Sequence, residues 1–298
     1  MSHTIEQAWA YLVIACEPPA PNTARLARDL GPLEVVRQYE AGALSDEAKA
    51  EFRSYFGGWD AIDHDFAAAE ALGARLVVPG DAEWPVALDD GPVAPPLAHW
   101  VRGAGRLNDL TTRAVAVIGT RLATPYGDHH AAEIGAQLAE RGWAIWNSCS
   151  HGIEVAAQRG ALSTGRARAA VVVAHGLNHV YPFSHDRQFE HIAEKGLIVS
   201  EHSLTTVPSR HRFQMRNRLI AKLTAGLVFI EATNRSGVRS AAGYAQELGH
   251  PVLALPGPIS SAQSNGCHRL IADGTAELFT TVDDIERALN PDSSSAAG

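Results

Sequence analysis

Residues 114–121 read AVAVIGTR, and this stretch decides the fold. Its first five residues are all apolar, as expected for a parallel strand that is covered on both faces. Gly119 then permits a tight turn, and the amides of a following helix start favour an anion. Arg121 adds a guanidinium, which can hold a phosphate through two parallel hydrogen bonds. The stretch therefore predicts a buried strand that leads into an anion-binding turn.

Strand-like and helix-like segments alternate on the C-terminal side of this turn. The apolar runs that predict further strands are WAIWNS at 143–148, AAVVVAHG at 169–176, LIVSEH at 197–202, AGLVFIEA at 225–232 and PVLALPG at 251–257. Repeated alternation of this kind is the signature of a doubly wound, mostly parallel sheet. We predict an α/β, Rossmann-like domain over residues 111–290 and a disordered tail at 291–298.

The N-terminal part has a different pattern. Short amphipathic helices, separated by breakers such as Gly31-Pro32, predict a small helical module over residues 1–65. Residues 66–110 then contain a helix, a short strand and the Pro-rich run DGPVAPPLAHWVRG. This segment is expected to link the module to the sheet domain.

Composition excludes several protein classes. No apolar run approaches the roughly 20 residues needed to cross a bilayer, and the N-terminus lacks the pattern of a signal peptide. The three cysteines are far apart, which argues against a disulfide framework or a zinc ribbon. We therefore expect a cytoplasmic protein without a membrane partner.

The net charge of −8 is unevenly distributed along the chain. Residues 1–100 contain 6 Lys or Arg and 16 Asp or Glu, whereas residues 101–298 contain 19 and 17. Residues 205–240 contain seven basic residues and one acidic residue, Glu231. A local basic surface is thus compatible with the acidic total, and it is either a solvated face or an anion-binding site.

The basic segment and three turns supply the candidate site. Arg216 and Asn217 are predicted near a helix start, while Arg218 and Lys222 are spaced i,i+4 on one helical face. Phe213 either stacks a base or belongs to the core. The predicted phosphate- or DNA-binding residues are Gly119, Thr120, Arg121, His151, Gly152, Phe213, Arg216, Asn217, Arg218, Lys222, Arg235, Ser236 and Gly237.

Enzymatic and metal-binding roles find little support in the motifs. The turn after residue 118 is not GxGxxG and no acidic residue follows at the ribose-binding distance, so no dinucleotide cofactor is expected. Cys149 and His151 could form a nucleophile–base pair, but neighbours on one turn seldom meet in that geometry. The fourteen histidines, His129 and His130 included, show no HExxH pattern, so no metal site is predicted.

These turns, in this order, resemble the DprA/Smf family of DNA-processing proteins, over most of the chain. The N-terminal helices are similar to that family's sterile-alpha-motif-like module. The motifs that carry the resemblance most specifically are Arg216-Asn217-Arg218-Leu219-Ile220-Ala221, Tyr181-Pro182, Ser200-Glu201, Glu231-Ala232, Ser236-Gly237, Pro256-Gly257 and Gly266-Cys267-His268-Arg269-Leu270-Ile271.

The resemblance implies a homodimer, not an enzyme, that binds and protects single-stranded DNA and helps to load the RecA recombinase in natural transformation. It implies phosphate contacts at Arg121, Arg216, Arg218 and Lys222. The chain departs from the family at residues 147–154, where Ser-Gly-Leu-Ala-Arg-Gly-Ile-Asp is usual and Asn-Ser-Cys-Ser-His-Gly-Ile-Glu is present. No counterpart of the C-terminal winged-helix module of some members is expected.

The residues are also compatible with two other functions. The altered turn at 147–154 suits a sensor of nucleotide ligands within the broader superfamily of Rossmann-like nucleotide binders. A phosphoribohydrolase would need a Pro-Gly-Gly-x-Gly-Thr turn, whereas residues 234–239 read NRSGVR.

Overall fold

The computed structural model describes residues 3–166, 168–234 and 237–290. Nine strands form one mixed, mostly parallel sheet in the order β1-β2-β6-β5-β4-β3-β7-β8-β9. The strands are β1 (Ala74–Val77), β2 (His99–Arg102), β3 (Ala114–Ile118), β4 (Ala144–Asn147), β5 (Ala169–Val172), β6 (Leu197–Ser200), β7 (Leu227–Phe229), β8 (Val252–Ala254) and β9 (Glu277–Leu278). The doubly wound fold predicted from the alternating pattern is confirmed.

Thirteen α-helices accompany the sheet within the described residues. Five precede it: α1 (Ile5–Ala15), α2 (Pro21–Leu30), α3 (Pro32–Glu40), α4 (Asp46–Lys49) and α5 (Gly58–Leu72). The others are α6 (Leu107–Thr111), α7 (Pro125–Glu140), α8 (Ile153–Ser163), α9 (Asp186–Lys195), α10 (Arg210–Lys222), α11 (Val238–Glu247), α12 (Asn265–Ala272) and α13 (Val282–Leu289).

Two antiparallel strands extend the parallel sheet at one edge. β1 pairs with β2, and β2 pairs with β6 through Trp100 opposite Ser200. The sequence pattern placed β2 inside the Pro-rich connector, because its four residues follow Pro95-Pro96 so closely that the run looks like a loop. The linker is thus part of the sheet.

Helices cover both faces of the sheet, as the alternation of side chains along β3 shows. Val115 and Val117 pack into a core with α7, α8 and α13, while Ala116 and Ile118 face α10, α11 and α12. All five residues of β3 are buried, which explains why the strand is uniformly apolar.

The N-terminal helices share their core with the sheet. Buried residues of α1 and α3 belong to the same cluster as Val171 and Ile198 on β5 and β6. A capping box between Thr4 and Gln7 starts α1. The module boundary predicted at residue 65 falls inside α5, and the division of the chain into modules stays a prediction.

Candidate nucleic-acid interface

A cavity of about 670 Å³ lies where β3 and β7 end. Such crevices at the carboxyl ends of parallel strands are the usual ligand sites of doubly wound sheets. Its walls are the turn after β3, part of the turn after β4, one side of α10 and the start of α11. The lining residues are Ile118, Gly119, Thr120, Arg121, Leu122, Ser150, Glu154, Arg210, Phe213, Gln214, Arg216, Asn217, Ile220, Phe229, Thr233, Gly237, Val238 and Ala241.

The turn after β3 is closely packed against the chain itself. A Cβ on Gly119 would lie 2.5 Å from the carbonyl oxygen of Glu231, so only glycine fits there. The amide of Thr120 donates to that same oxygen over 2.7 Å. Gly119, Thr120 and Arg121 all line the cavity, as the sequence predicts for an anion-binding turn.

The helix that follows this turn does not offer its amides to an external anion. Thr124 caps α7, and the Glu231 carboxylate accepts from the Thr124 amide over 2.9 Å and from its hydroxyl over 2.6 Å. The expected anion at this helix start is therefore a carboxylate of the chain, which corrects the sequence-based interpretation of α7.

The turn at residues 147–154 is held against the first turn. Gly152 has φ of +76°, and a Cβ there would lie 2.4 Å from the carbonyl oxygen of Thr120. The Ile153 amide donates to that oxygen over 3.2 Å. His151 is exposed, and its ring contacts His185 at a centroid distance of 4.4 Å instead of lining the cavity.

Glu154 contributes a carboxylate to the cavity wall, which the sequence prediction missed. One carboxylate oxygen accepts from the Ser148 amide over 3.0 Å, from the Ser150 amide over 3.2 Å and from the Ser148 hydroxyl. These three bonds to one oxygen tie Glu154 to residues 148–150 at the start of the turn.

Cys149 is unsuited to act as a nucleophile. Its side chain is fully buried, and burial, assisted by the nearby Glu154 carboxylate, raises the pKa of the thiol. A neutral, inaccessible thiol is unreactive.

Arg216 reaches the cavity from the second turn of α10. The helix begins at Arg210 after the Ser209 cap, so it starts six residues earlier than the sequence predicts for Arg216 and Asn217. The sequence does not indicate a helix over residues 210–215, since RHRFQM has no helical apolar pattern. Both residues nevertheless line the cavity.

The Arg216 guanidinium is 6% exposed and has no salt bridge to a carboxylate within the described residues. Its Nη1 donates to the carbonyl of Val172 over 2.9 Å, and its Nε donates to the Asn217 amide oxygen over 3.4 Å. Burial lowers its pKa to about 10, so the group is still charged at neutral pH. The nearby Glu154 carboxylate opposes this shift without forming a salt bridge to Arg216, so the buried cation beside the open cavity still attracts anions.

Arg218 and Lys222 lie on the other side of α10, away from the cavity. Arg218 forms a buried bidentate ion pair with Glu201, with Nη1 to Oε1 at 2.7 Å. The Lys222 ammonium donates to the carbonyls of Asp90 and Val93. The structure does not bring these two predicted phosphate contacts to the site, because partners from distant segments already hold them.

An aromatic ring and an exposed arginine form the outer wall. Phe213 is half-buried and lines the cavity, with the Arg121 guanidinium carbon 5.4 Å from its ring centroid. The Tyr181 ring lies 5.2 Å from the Phe213 ring. Phe213 is therefore available at the cavity rather than being sealed in the core.

The start of α11 closes the site. Gly237 and Val238 line the cavity, and Gly237, at the N-cap position, has no side chain that could bond the first amides of the helix. Uncapped amides at a helix start attract anions. The predicted site residues Arg235 and Ser236 lie outside the described residues.

Charge in the cavity wall is predominantly positive. Three arginines, namely Arg121, Arg210 and Arg216, face one carboxylate, Glu154, among the lining residues that the structure describes. Arg210 was part of the basic run in the sequence but was not predicted as a site residue, since its distance to the turn after β3 depends on where α10 begins.

The chain is similar in sequence to known DNA-processing proteins. The model of the DNA recombination-mediator protein A family matches residues 75–290. A Mycobacterium tuberculosis (H37Rv) protein named as DNA processing protein DprA is 39% identical over 292 residues, which cover 94% of this chain and 74% of that protein. Escherichia coli protein Smf is 37% identical over 182 residues, covering 61% of this chain and 48% of Smf.

Two solved structures have the same fold. Streptococcus pneumoniae DprA superposes with a TM-score of 0.71 at 26% identity, over 96% of this chain and 98% of that one. Helicobacter pylori DNA processing protein A, described for its single-stranded DNA binding mode, has a TM-score of 0.65 at 27% identity, over 74% and 96%. The chain belongs to the DprA/Smf family of DNA-processing proteins.

Proposed function

We propose that this chain acts in DNA processing by binding the sugar–phosphate backbone of single-stranded DNA in the cavity at the ends of β3 and β7. The observation that carries the proposal is Arg216, a buried guanidinium without a carboxylate salt bridge among the described residues, which faces the cavity beside Arg121. Phosphate would supply a negative charge that pairs directly with this guanidinium through charge-assisted hydrogen bonds.

The shape and lining of the site favour a strand over a duplex. A half-enclosed space of about 670 Å³ can take one or two nucleotides, whereas a double helix is too wide to enter it. Phe213 offers a ring face to an unstacked base, an interaction that tolerates any sequence. The single-stranded DNA binding described for the Helicobacter pylori relative supports the same assignment.

Arg121 provides a direct test because it is exposed and has no ion pair within the described chain. We expect Arg121→Ala to weaken binding of a fluorescent oligodeoxythymidine in an anisotropy titration. The slope of log affinity against log salt should fall by about 0.7 for one lost phosphate contact to a single strand.

The matched control is Arg166→Ala. Arg166 is also exposed, but it precedes β5 and so lies at the opposite end of the parallel strands. Its removal should leave both affinity and salt slope as in the unmodified chain. Equal losses for the two variants would show that binding is a general effect of surface charge and not of this cavity.

Recombinase loading, protection of the strand, a homodimer and a cytoplasmic location form a finer proposal that rests on family membership. No helix in the described ranges is both long and apolar enough to cross a membrane. Light scattering would determine the oligomeric state. A RecA filament assay on DNA covered by single-strand-binding protein tests loading; no acceleration by the chain would remove RecA from the proposal.

A nucleotide-sensing role is the second candidate, favoured by the Glu154 carboxylate in the cavity wall. A carboxylate repels a continuous phosphate backbone but can accept hydrogen bonds from the amino group of a base. Thermal shifts with mononucleotides and with oligonucleotides separate the two ideas. Stabilisation by mononucleotides alone, or release of a free base from them, would favour a small-ligand or hydrolase function.

A further inference from the structure

Three potential metal ligands meet on the surface of α7. One ligand atom from each of His129, His130 and Glu133 lies within 4.8 Å of the other two. Across residues 3–166, 168–234 and 237–290, this is the one group of three or more His, Cys, Asp or Glu side chains that comes together in this way. The His-His-x-x-Glu spacing is not HExxH, and for that reason the sequence predicted no metal site here.

The distances between these atoms suit a zinc ion. The Glu133 Oε2 oxygen lies 3.5 Å from His129 Nε2 and 3.6 Å from His130 Nδ1. Ligands at about 2.0–2.2 Å from zinc in tetrahedral geometry are roughly 3.3–3.6 Å apart. The carboxylate oxygen therefore lies at the separation expected between two ligands of one zinc ion from each imidazole, and one nitrogen of each imidazole lies within 4.8 Å of the other.

One of the three ligands, His130, is held in place by the fold. The His130 ring packs edge-on against the Tyr126 ring at a centroid distance of 4.4 Å, and the Tyr126 hydroxyl donates to the Pro256 carbonyl over 2.8 Å. The opposite face of α7 is buried in the core. Ligands on a rigid helix lose little conformational entropy when they bind a metal.

There is also space for a fourth ligand. His130 and Glu133 line a second cavity, of about 410 Å³, which extends toward residues 280–283 and Arg141. A water molecule in this cavity could complete a tetrahedral set, as it does in zinc sites with three protein ligands.

We propose that His129, His130 and Glu133 bind one zinc ion, with water as the fourth ligand. Two imidazoles and one carboxylate suit zinc, whereas magnesium and calcium prefer oxygen ligands throughout. None of the three residues lines the cavity assigned to DNA, so this site is independent of the proposed function. The competing explanation is that protonated histidines form ion pairs with Glu133, which needs no metal.

Isothermal titration of the full chain with zinc chloride, without a histidine tag, tests the site. The variants are His130→Ala and Glu133→Gln, both at the surface, and the matched control is His191→Ala, an exposed histidine on α9. We expect one equivalent of zinc to bind to the unmodified chain and to the control, and binding to be lost in both site variants. Cobalt should give the visible absorption of a tetrahedral site in the same two proteins.

Three results would overturn the proposal: no zinc binding by the unmodified chain, unchanged binding in His130→Ala and Glu133→Gln, or loss of binding in His191→Ala. Circular dichroism checks that each variant is folded. Zinc titration requires no DNA, so failure of this site leaves the DNA-binding proposal untouched, and the reverse also holds.

Discussion

Arg216 and Arg218 are two residues apart on α10, but their guanidinium groups have different kinds of partner. Arg216 faces a cavity and has only neutral hydrogen-bond acceptors, whereas Arg218 is closed into a bidentate ion pair with Glu201. Both are less than a tenth exposed, so burial does not distinguish them. The difference is whether a carboxylate of the chain forms a direct ion pair with the guanidinium.

This contrast separates Arg216, which we propose binds phosphate, from Arg218, which stabilises the fold. An arginine that already has a carboxylate partner gains little from a phosphate, while one with only carbonyl and amide partners retains a strong unmet attraction for negative charge. Both arginines belong to one run, RNRLIA at residues 216–221, yet they lie on different faces of one helix and have different partners.

The largest expected effect is on stability, at Arg218. Arg218→Ala leaves the Glu201 carboxylate buried without its partner, which should lower the free energy of unfolding by about 3–5 kcal/mol. Urea denaturation measures this change. The double variant Arg218→Met/Glu201→Gln removes both charges and should recover much of the loss. A single variant within 1 kcal/mol of the unmodified chain would contradict the structural role of the pair.

The next effect is on binding, at Arg216. Arg216→Gln keeps a polar side chain but removes the charge, and it should weaken oligodeoxythymidine binding by about 1.5–3 kcal/mol. Anisotropy at low salt measures the loss. Since Arg216 has no ion pair within the described chain, this variant should be closer in stability to the unmodified chain than Arg218→Ala is. Equal free energies of unfolding for Arg216→Gln and Arg218→Ala would contradict the proposed difference between the two arginines.

Whether the sequence predicts a feature of the fold or of the site depends on how far apart in the chain the interacting residues are. The strand at 114–118, the glycine turn after it and the sheet type follow from local patterns, and all are present. The partner of Arg218, Glu201, is 17 residues away in the turn after β6, and the partners of Lys222 are about 130 residues away. Local spacing groups these cations with Arg216, and only the tertiary structure separates them.

A third, smaller effect concerns the contact between the two turns. Gly152→Ala places a Cβ against the Thr120 carbonyl oxygen, at a positive φ that favours glycine. The substitution should lower the free energy of unfolding by about 1–3 kcal/mol. It should also weaken DNA binding, because it displaces the turn that carries Arg121. Gly165→Ala is the control, with φ of +72° but open space around the new Cβ. Equal DNA affinity for both variants would show that the close approach does not shape the site.

The smallest effect is a pH dependence at Lys222. Burial, assisted by the nearby Arg218 charge, lowers the pKa of Lys222 to about 8 from an ordinary value of 10.5. Between these values the unfolded chain holds more protons than the folded one, so stability should rise with pH. Lys222→Met should flatten that rise between pH 8 and 10, measured as urea midpoints. If the urea midpoint changed with pH equally in both proteins, the pKa of Lys222 would not be lowered by burial.

A crystal structure of the chain with a short oligodeoxythymidine would show most directly whether the cavity beside Arg216 receives the phosphate backbone. We expect a phosphate oxygen within hydrogen-bonding distance of Arg216 and of the first amides of α11, with no DNA atom near Arg218. A strand bound elsewhere on the surface, with the cavity free of phosphate, would contradict this expectation.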